Sequence, residues 1–262
     1  MAGPRGAVVF LHAHPDDEAI FTGGTMVKLA ETGHRVVLVV ATGGELGLPA
    51  EPAGDVGPDD LRPQRRAETM AAAEVLGVAR VEFLGYRDSG MAGDEANAHP
   101  DAFAGADVAA VADRVAALLV EEGACALVTY DEHGIYGHPD HIKVHRVGAA
   151  AAARAGVEVV YEATVDREYL HFVETHLVVE AGGVAGELGL AATGLGVPTV
   201  AVTSMVDVRD VLDRKRRAMV AHASQIPETA SAMRLPTEAF SAVYGYEWFL
   251  RGGPPGPVEA LS

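Results

Sequence analysis

Short apolar runs alternate with longer stretches of helical period through the first 165 positions of the chain. Runs rich in Val, Leu and Tyr at 7–11, 35–41, 81–85, 126–130 and 157–162 read as buried strands. Between them, 18–31, 61–76, 107–121 and 139–154 carry helical patterns, and Gly33 and Gly77 stand where helix C′ residues are expected. This alternation predicts an α/β fold: a Rossmann-like, mostly parallel sheet with right-handed crossovers and helices on both faces. Residues 1–165 are the expected core. Residues 166–251 lose the rhythm and read as a smaller, variable C-terminal part of the same domain. Within them, 182–198 is rich in small residues without a clear period, and reads equally as a hairpin or a mobile loop. The Gly- and Pro-rich stretch 252–257 predicts a frayed, flexible tail over 252–262.

The chemistry gathers where two of the strands end. The first strand runs into His14-Pro15-Asp16-Asp17-Glu18. Pro15 removes a ladder N–H and fixes φ, so the strand stops there and the acids emerge at its C-terminal end, the edge at which open α/β sheets bind ligands. Beyond the fourth strand stands His138-Pro139-Asp140-His141, with Pro139 suited to the first turn of a helix. A catalytic zinc takes three ligands from His and carboxylate and keeps a position for water. His14 and Asp17 can reach one ion from a strand-to-helix corner, and the second motif adds a histidine. His138 and His141 are three apart, His141 and His145 four apart, and spacing alone does not choose between the pairs. A single His-Pro-Asp is more often a turn or helix cap, because Asp is an ordinary N-cap residue. Two of them, each just beyond a buried strand of one sheet, point to a metal site. His12, inside the strand, reads as a packed or hydrogen-bonded core histidine.

Composition narrows the partners. A formal charge of −17 opposes binding to phosphate backbones, which needs clustered Lys and Arg. The single cysteine, Cys125, allows neither an internal disulfide nor a cysteine metal cluster, and its apolar setting predicts a buried thiol. The N-terminal apolar run gives way to His12, Asp16 and Asp17 too soon for a signal peptide or a membrane span. The expectation is a cytoplasmic protein with a small-molecule partner, no nucleic acid and no membrane; a homo-oligomer is left open. No Gly-x-Gly-x-x-Gly follows the first strand, which argues against a dehydrogenase.

His14 to Glu18, Gly23-Gly24-Thr25, Thr42-Gly43-Gly44-Glu45-Leu46-Gly47, Arg65 with Glu68, and Tyr136-Gly137-His138-Pro139-Asp140-His141 together resemble the PIG-L/LmbE family of zinc-dependent N-acetylglucosaminyl deacetylases. Ala221-His222-Ala223-Ser224-Gln225 is similar to the family's late helix. Arg87-Asp88-Ser89-Gly90-Met91 resembles the mycothiol branch, both its GlcNAc-inositol deacetylase and its mycothiol S-conjugate amidase. The resemblance implies Zn2+, or another divalent ion such as Fe2+, on His14, Asp17 and His141, which resolves the choice that spacing leaves open. Asp16 would be the general base. His138, as a cationic imidazole, would stabilise the oxyanion or protonate the leaving amine, with Tyr136 assisting at the same oxygen. Arg65 and Asp88 would bind sugar hydroxyls, Glu45 would hold its loop or touch substrate, and Arg62 and Arg66 read as helix-surface charges. Asp140 would orient His138 or His141, or else cap the helix. The reaction implied is removal of the N-acetyl group from an N-acetylglucosamine-type conjugate by a catalytic core over 1–165. The alternatives are the amidase reaction and a non-catalytic sugar- or nucleotide-binding module. Residues 165–206 match no motif.

Overall fold

The computed structural model describes residues 5–47, 58–176, 195–226 and 230–261. Residues 48–57, and residues 182–194 of the 182–198 stretch that reads as a hairpin or a mobile loop, lie outside them. In chain order the main elements begin with β1 (Arg5–His12), α1 (Asp17–Phe21), α2 (Gly23–Glu31), β2 (His34–Thr42), α3 (Pro58–Leu76) and β3 (Arg80–Tyr86). They continue with α4 (Val108–Glu121), β4 (Ala124–Tyr130), α5 (Gly134–Gly137), α6 (Pro139–Ala155), β5 (Val160–Thr164) and α7 (Arg167–His176). The C-terminal part adds β6 (Ser204–Asp207), α8 (Leu212–Ala221), α9 (Thr237–Tyr244) and β7 (Tyr246–Gly252).

The strands form one sheet in the order β3-β2-β1-β4-β5-β7-β6. β1 to β5 pair in parallel, while β7 runs antiparallel to both β5 and β6. The order 3-2-1-4-5 reverses direction between β1 and β4, and such a reversal opens a crevice at the strands' C-terminal ends. Right-handed crossovers then put α2, α3 and α8, which pack on one another, on one face, and α4 against α6 on the other. Covered on both sides, Val8 to Leu11 of β1 have no exposed surface. No helix among the described residues is long and apolar enough to cross a membrane.

Local chemistry explains the boundaries. Asp107 caps α4 by accepting from the N–H groups of Ala109 and Ala110 at 2.7 and 3.1 Å. The helical pattern of 18–31 is two helices, because Thr22 between them has φ −138° and its hydroxyl lies 2.9 Å from His12 Nε2. The fifth strand begins at Val160 rather than 157, since Gly156 ends α6 in the left-handed region and pairing with β4 starts at Leu127 opposite Val160. Cys125 is exposed rather than buried: it lies near the start of β4, before the strand enters the helix-covered core. The C-terminal residues differ from a frayed tail. Val258 is fully buried, and the Glu259 carboxylate accepts from the Tyr161 hydroxyl, Ser204 Oγ, Arg251 Nη1 and the Gly256 N–H. Burial pushes the Glu259 pKa up, but those hydrogen bonds prevail and hold it at about 2.

Candidate metal centre

The C-terminal ends of β1 and β4 meet at the reversal of strand order. From the β1 corner come His14 and Asp17, and from the first turn of α6 comes His141. His14 Nδ1, Asp17 Oδ2 and His141 Nε2 form a triangle whose three edges are each 3.3 Å. Donors about 2.0–2.1 Å from a tetrahedral ion stand about 3.3–3.4 Å apart, so the triangle fits one zinc-sized cation with a fourth direction free. The donor set agrees, since two ring nitrogens and a carboxylate oxygen present lone pairs to one another. A proton or a cation between them removes that repulsion. Asp17 is aimed by the His14 backbone N–H, which donates to Oδ2 at 2.8 Å.

His141 is fully buried, with the Tyr130 ring stacked on it at 4.2 Å. Tyr130 is itself held by His12, whose Nδ1 lies 2.8 Å from the hydroxyl. Burial lowers the His12 pKa to about 4, so His12 is a neutral, hydrogen-bonded core residue. Around His14 burial favours the neutral ring, but Asp88, Asp140 and Asp17 outweigh it and raise the pKa well above the ordinary value. Asp17 is shifted the other way: burial raises it, and His141 and His14 pull it well below the carboxylate range. The field at the triangle therefore favours positive charge.

His14 Nε2, His138, Asp88 and Asp140 make a second cluster of metal-ligating types on the outer side of His14. Its hydrogen bonds give it another task. Asp140 Oδ2 lies 3.2 Å from His14 Nε2 and accepts the Ser89 N–H at 2.9 Å, while Oδ1 accepts the Ser89 hydroxyl at 2.5 Å. A carboxylate behind a ligating histidine fixes its tautomer, leaving Nδ1 free to face the ion. Asp140 thus orients His14, and not His138 or His141 as expected. The helix cap is His138, whose Nδ1 accepts the Asp140 N–H at 3.2 Å. That bond leaves the neutral ring's proton on Nε2. Burial, with the charges of His14 and His141, lowers the His138 pKa to about 4, so at neutral pH the ring is uncharged rather than cationic.

Asp16 lies half-buried between these corners with φ 102° and ψ −31°. It and Ile135 of α5, at φ 63°, are the only non-glycine residues with positive φ among the described residues. Both border the same cavity, and strained backbone of this kind gathers at functional sites. Burial, reinforced by Asp17 and Glu18, raises the Asp16 pKa to about 7 against the opposing pull of His222. A carboxylate so poised can take and return a proton near neutrality. The Tyr136 hydroxyl points to the triangle, 3.3 Å from His141 Nε2, and burial keeps it protonated.

The cavity beside Asp16 and Asp17 has a volume of about 340 Å³. Its walls are largely apolar, from Phe21, Ile135, Leu170, Leu195 and Trp248. Of the remaining expected substrate contacts, only Tyr136 borders it. Asp88 accepts the N–H groups of Leu46 and Gly90 and faces His14 Nε2 at 3.6 Å. The fully buried Arg65 donates from Nη2 to the Gly47 carbonyl at 3.1 Å. Glu45 is buried against Arg62, which is therefore a clamp on the loop and not a surface charge.

Several site residues escape sequence reasoning. Glu18 and His222 are fully buried partners, and Glu68 accepts the Ser224 N–H at 3.0 Å, docking the 221–225 segment onto α3. Glu247 of β7 accepts from Gly24 and Thr25 at the start of α2, each at 2.8 Å, and pairs with buried Lys215 of α8 at 2.6 Å. Gly24 is required there, because a Cβ would come within 2.4 Å of Val208. The sequence signals for these contacts are Glu18 and Glu68 within their motifs, the Gly-Gly pair and the 221–225 motif, and none of them says which residues pair.

Comparison with known proteins agrees with this arrangement. Residues 9–152 match the family described as PIG-L, GlcNAc-PI de-N-acetylase. The 1D-myo-inositol 2-acetamido-2-deoxy-alpha-D-glucopyranoside deacetylase of Nocardiopsis dassonvillei is 37% identical over 92% of this chain and 92% of its own. Among solved structures, N,N'-diacetylchitobiose deacetylase from Pyrococcus horikoshii is similar in fold, with TM-score 0.60 and 22% identity over 94% of this chain and 84% of that one. The 4-carboxy-2-hydroxymuconate hydratase of Pseudomonas putida superposes with TM-score 0.63 and 20% identity over 97% of this chain and 98% of that one. One fold thus carries both amide hydrolysis and hydration, and the reaction must be argued from the site.

Proposed function

The chain belongs to the PIG-L family, and on that premise we propose that it removes the N-acetyl group of a GlcNAc–inositol conjugate, releasing acetate and a free amine. The observation that carries the reading is the triangle of His14, Asp17 and His141 donors at the reversal of strand order, bordered by a carboxylate with a pKa of about 7. These three residues would hold the ion, which we take to be zinc; the same donor set also accepts ferrous iron. When bound, such an ion polarises the amide carbonyl and lowers the pKa of water toward about 7.

The chain's own residues carry the protons. Asp16 takes one from the attacking water as the new C–O bond forms. The carbonyl oxygen gains negative charge and meets the Tyr136 hydroxyl and the His138 Nε2–H. Asp16, protonated in that step, hands the proton to the nitrogen as the C–N bond breaks, while His138 keeps its Nε2–H on the oxyanion. Arg65 and Asp88 do not border the cavity, so in this reading they shape the sugar end of the site through the loop, Arg65 on the Gly47 carbonyl and Asp88 on the Leu46 N–H, and Glu45 holds the same loop through Arg62. Residues 166–251 shape the substrate side, since Leu170, Val243 and Trp248 wall the cavity. The protein acts on a small molecule in the cytoplasm.

The test offers GlcNAc–inositol, a mycothiol S-conjugate and simpler GlcNAc glycosides to metal-stripped protein reloaded anaerobically with Zn2+ or Fe2+. Acetate release from GlcNAc–inositol, dependent on the ion, is the expected result. Cleavage of the S-conjugate alone would make the chain the amidase instead. No hydrolysis of any of them would refute the reading.

A further inference from the structure

Asp16 occupies a backbone conformation that is costly for a non-glycine residue and persists only where its surroundings over-determine it. Its N–H donates to Glu18 Oε2 at 3.0 Å. The other oxygen of Glu18, Oε1, lies 2.5 Å from Nε2 of His222, a residue 204 positions later in the chain. Neither side chain has any exposed surface. His222 is fixed in turn: its N–H donates to the Met219 carbonyl at the end of α8, and its own carbonyl accepts from Gln225 and Ile226. The neighbouring Ser224 is tied to Glu68 of α3 through both backbone and hydroxyl.

We infer that His222 is a positioning residue, which acts through Glu18 to hold Asp16 in its left-handed turn with the carboxylate at the metal centre. The inference rests on the proposed role of Asp16. Burial makes Glu18 costly unless both of its oxygens are engaged, so losing the His222 bond frees the carboxylate to seek another donor. The Asp16 N–H then loses its partner, and the turn relaxes. Nothing in this chain of contacts touches substrate, so the effect belongs to turnover rather than binding.

Two substitutions of similar polarity separate positioning from simple packing. The His222→Gln side chain sets its amide nitrogen where Nε2 lies and reaches Glu18; His222→Asn falls short. Expected for His222→Asn is a loss of kcat of about tenfold or more, with KM within about twofold and metal content unchanged, while His222→Gln keeps most of the turnover. Hydrogen exchange of the Asp16 amide, read by NMR on the full-length chain, should speed up in the Asn variant and not in the Gln variant. In an Asp16→Asn background the Asn substitution at 222 should cost no further turnover, because residues acting as one unit are not additive. Equal behaviour of the Gln and Asn variants, or losses that multiply with Asp16→Asn, would overturn the inference. Full activity of Asp16→Asn alone would instead sink the role of Asp16 on which it rests.

Discussion

The two His-Pro-Asp segments carry the same three residues and leave their strands in different backbone states. After β1 the chain turns through the left-handed Asp16 into a helix of five residues; at 138 it enters the seventeen residues of α6 directly, with Pro139 in the first turn and His138 as cap. The first route leaves Asp16 half-buried at the cavity, whereas the second buries Asp140 completely against His14 and Ser89. The histidines exchange places as well. His14 turns one nitrogen to the triangle, while His138 spends one on the helix end and the residue three further on, His141, takes the corresponding place. One tripeptide therefore presents its carboxylate to the cavity in one copy and supports a neighbouring histidine in the other, and the direction of the backbone decides which.

Substitutions can break that contrast. Asp16→Asn should lower kcat by about 10²- to 10⁴-fold, the contribution usual for a general base, with bound metal unchanged in elemental analysis. A variant keeping more than about a tenth of the turnover would make the first copy as passive as the second. Asp140→Asn should act on the ion instead, weakening metal affinity by about 10–100-fold, with turnover recovered when metal is added in excess. Loss persisting at saturating metal would make the two aspartates equivalent. Stability should move in opposite directions on replacement by glycine. Asp16→Gly relieves the left-handed strain and should gain about 1 kcal/mol in urea unfolding of the metal-free protein, while Asp140→Gly leaves buried donors unpaired and should lose about 1–3 kcal/mol. The cap is of the same size as the Asp16→Gly effect: His138→Ala should cost about 1 kcal/mol in the same measurement, the usual value of an N-cap side chain, beyond any effect on activity. No change would mean that the His138 Nδ1 bond is not a working cap.

Five parallel strands and the helices between them are legible because each is specified by a local run of side chains whose period matches its element. β7 is not, since Tyr246-Glu247-Trp248 puts a charge where an apolar residue would mark a strand. That charge is tolerated only because Lys215 and the N–H groups of α2 surround it. β6 spans four residues and takes its partner from β7 alone, too little for a pattern. At the centre, the residue types and strand-end positions of His14, Asp17 and the histidines from 138 onward point to a metal corner, and within the sequence only the family resemblance singles out His141. The tasks of their neighbours do not follow from type. Asp140 reads equally as cap or as orienter, and its buried contact with His14 selects the histidine 126 positions away.

The amino-acid sequence by itself determined the alternating architecture, the prolines that stop one strand and open one helix, and the donor types at the two corners, all properties of residues next to one another. Only the tertiary structure decided which nitrogen of His14 faces Asp17 and His141, which aspartate borders the cavity, and that Glu18 meets His222. Those outcomes depend on which polar groups share a buried space. In such a space each donor must find an acceptor, and the partner is chosen by distance in three dimensions rather than by spacing along the chain.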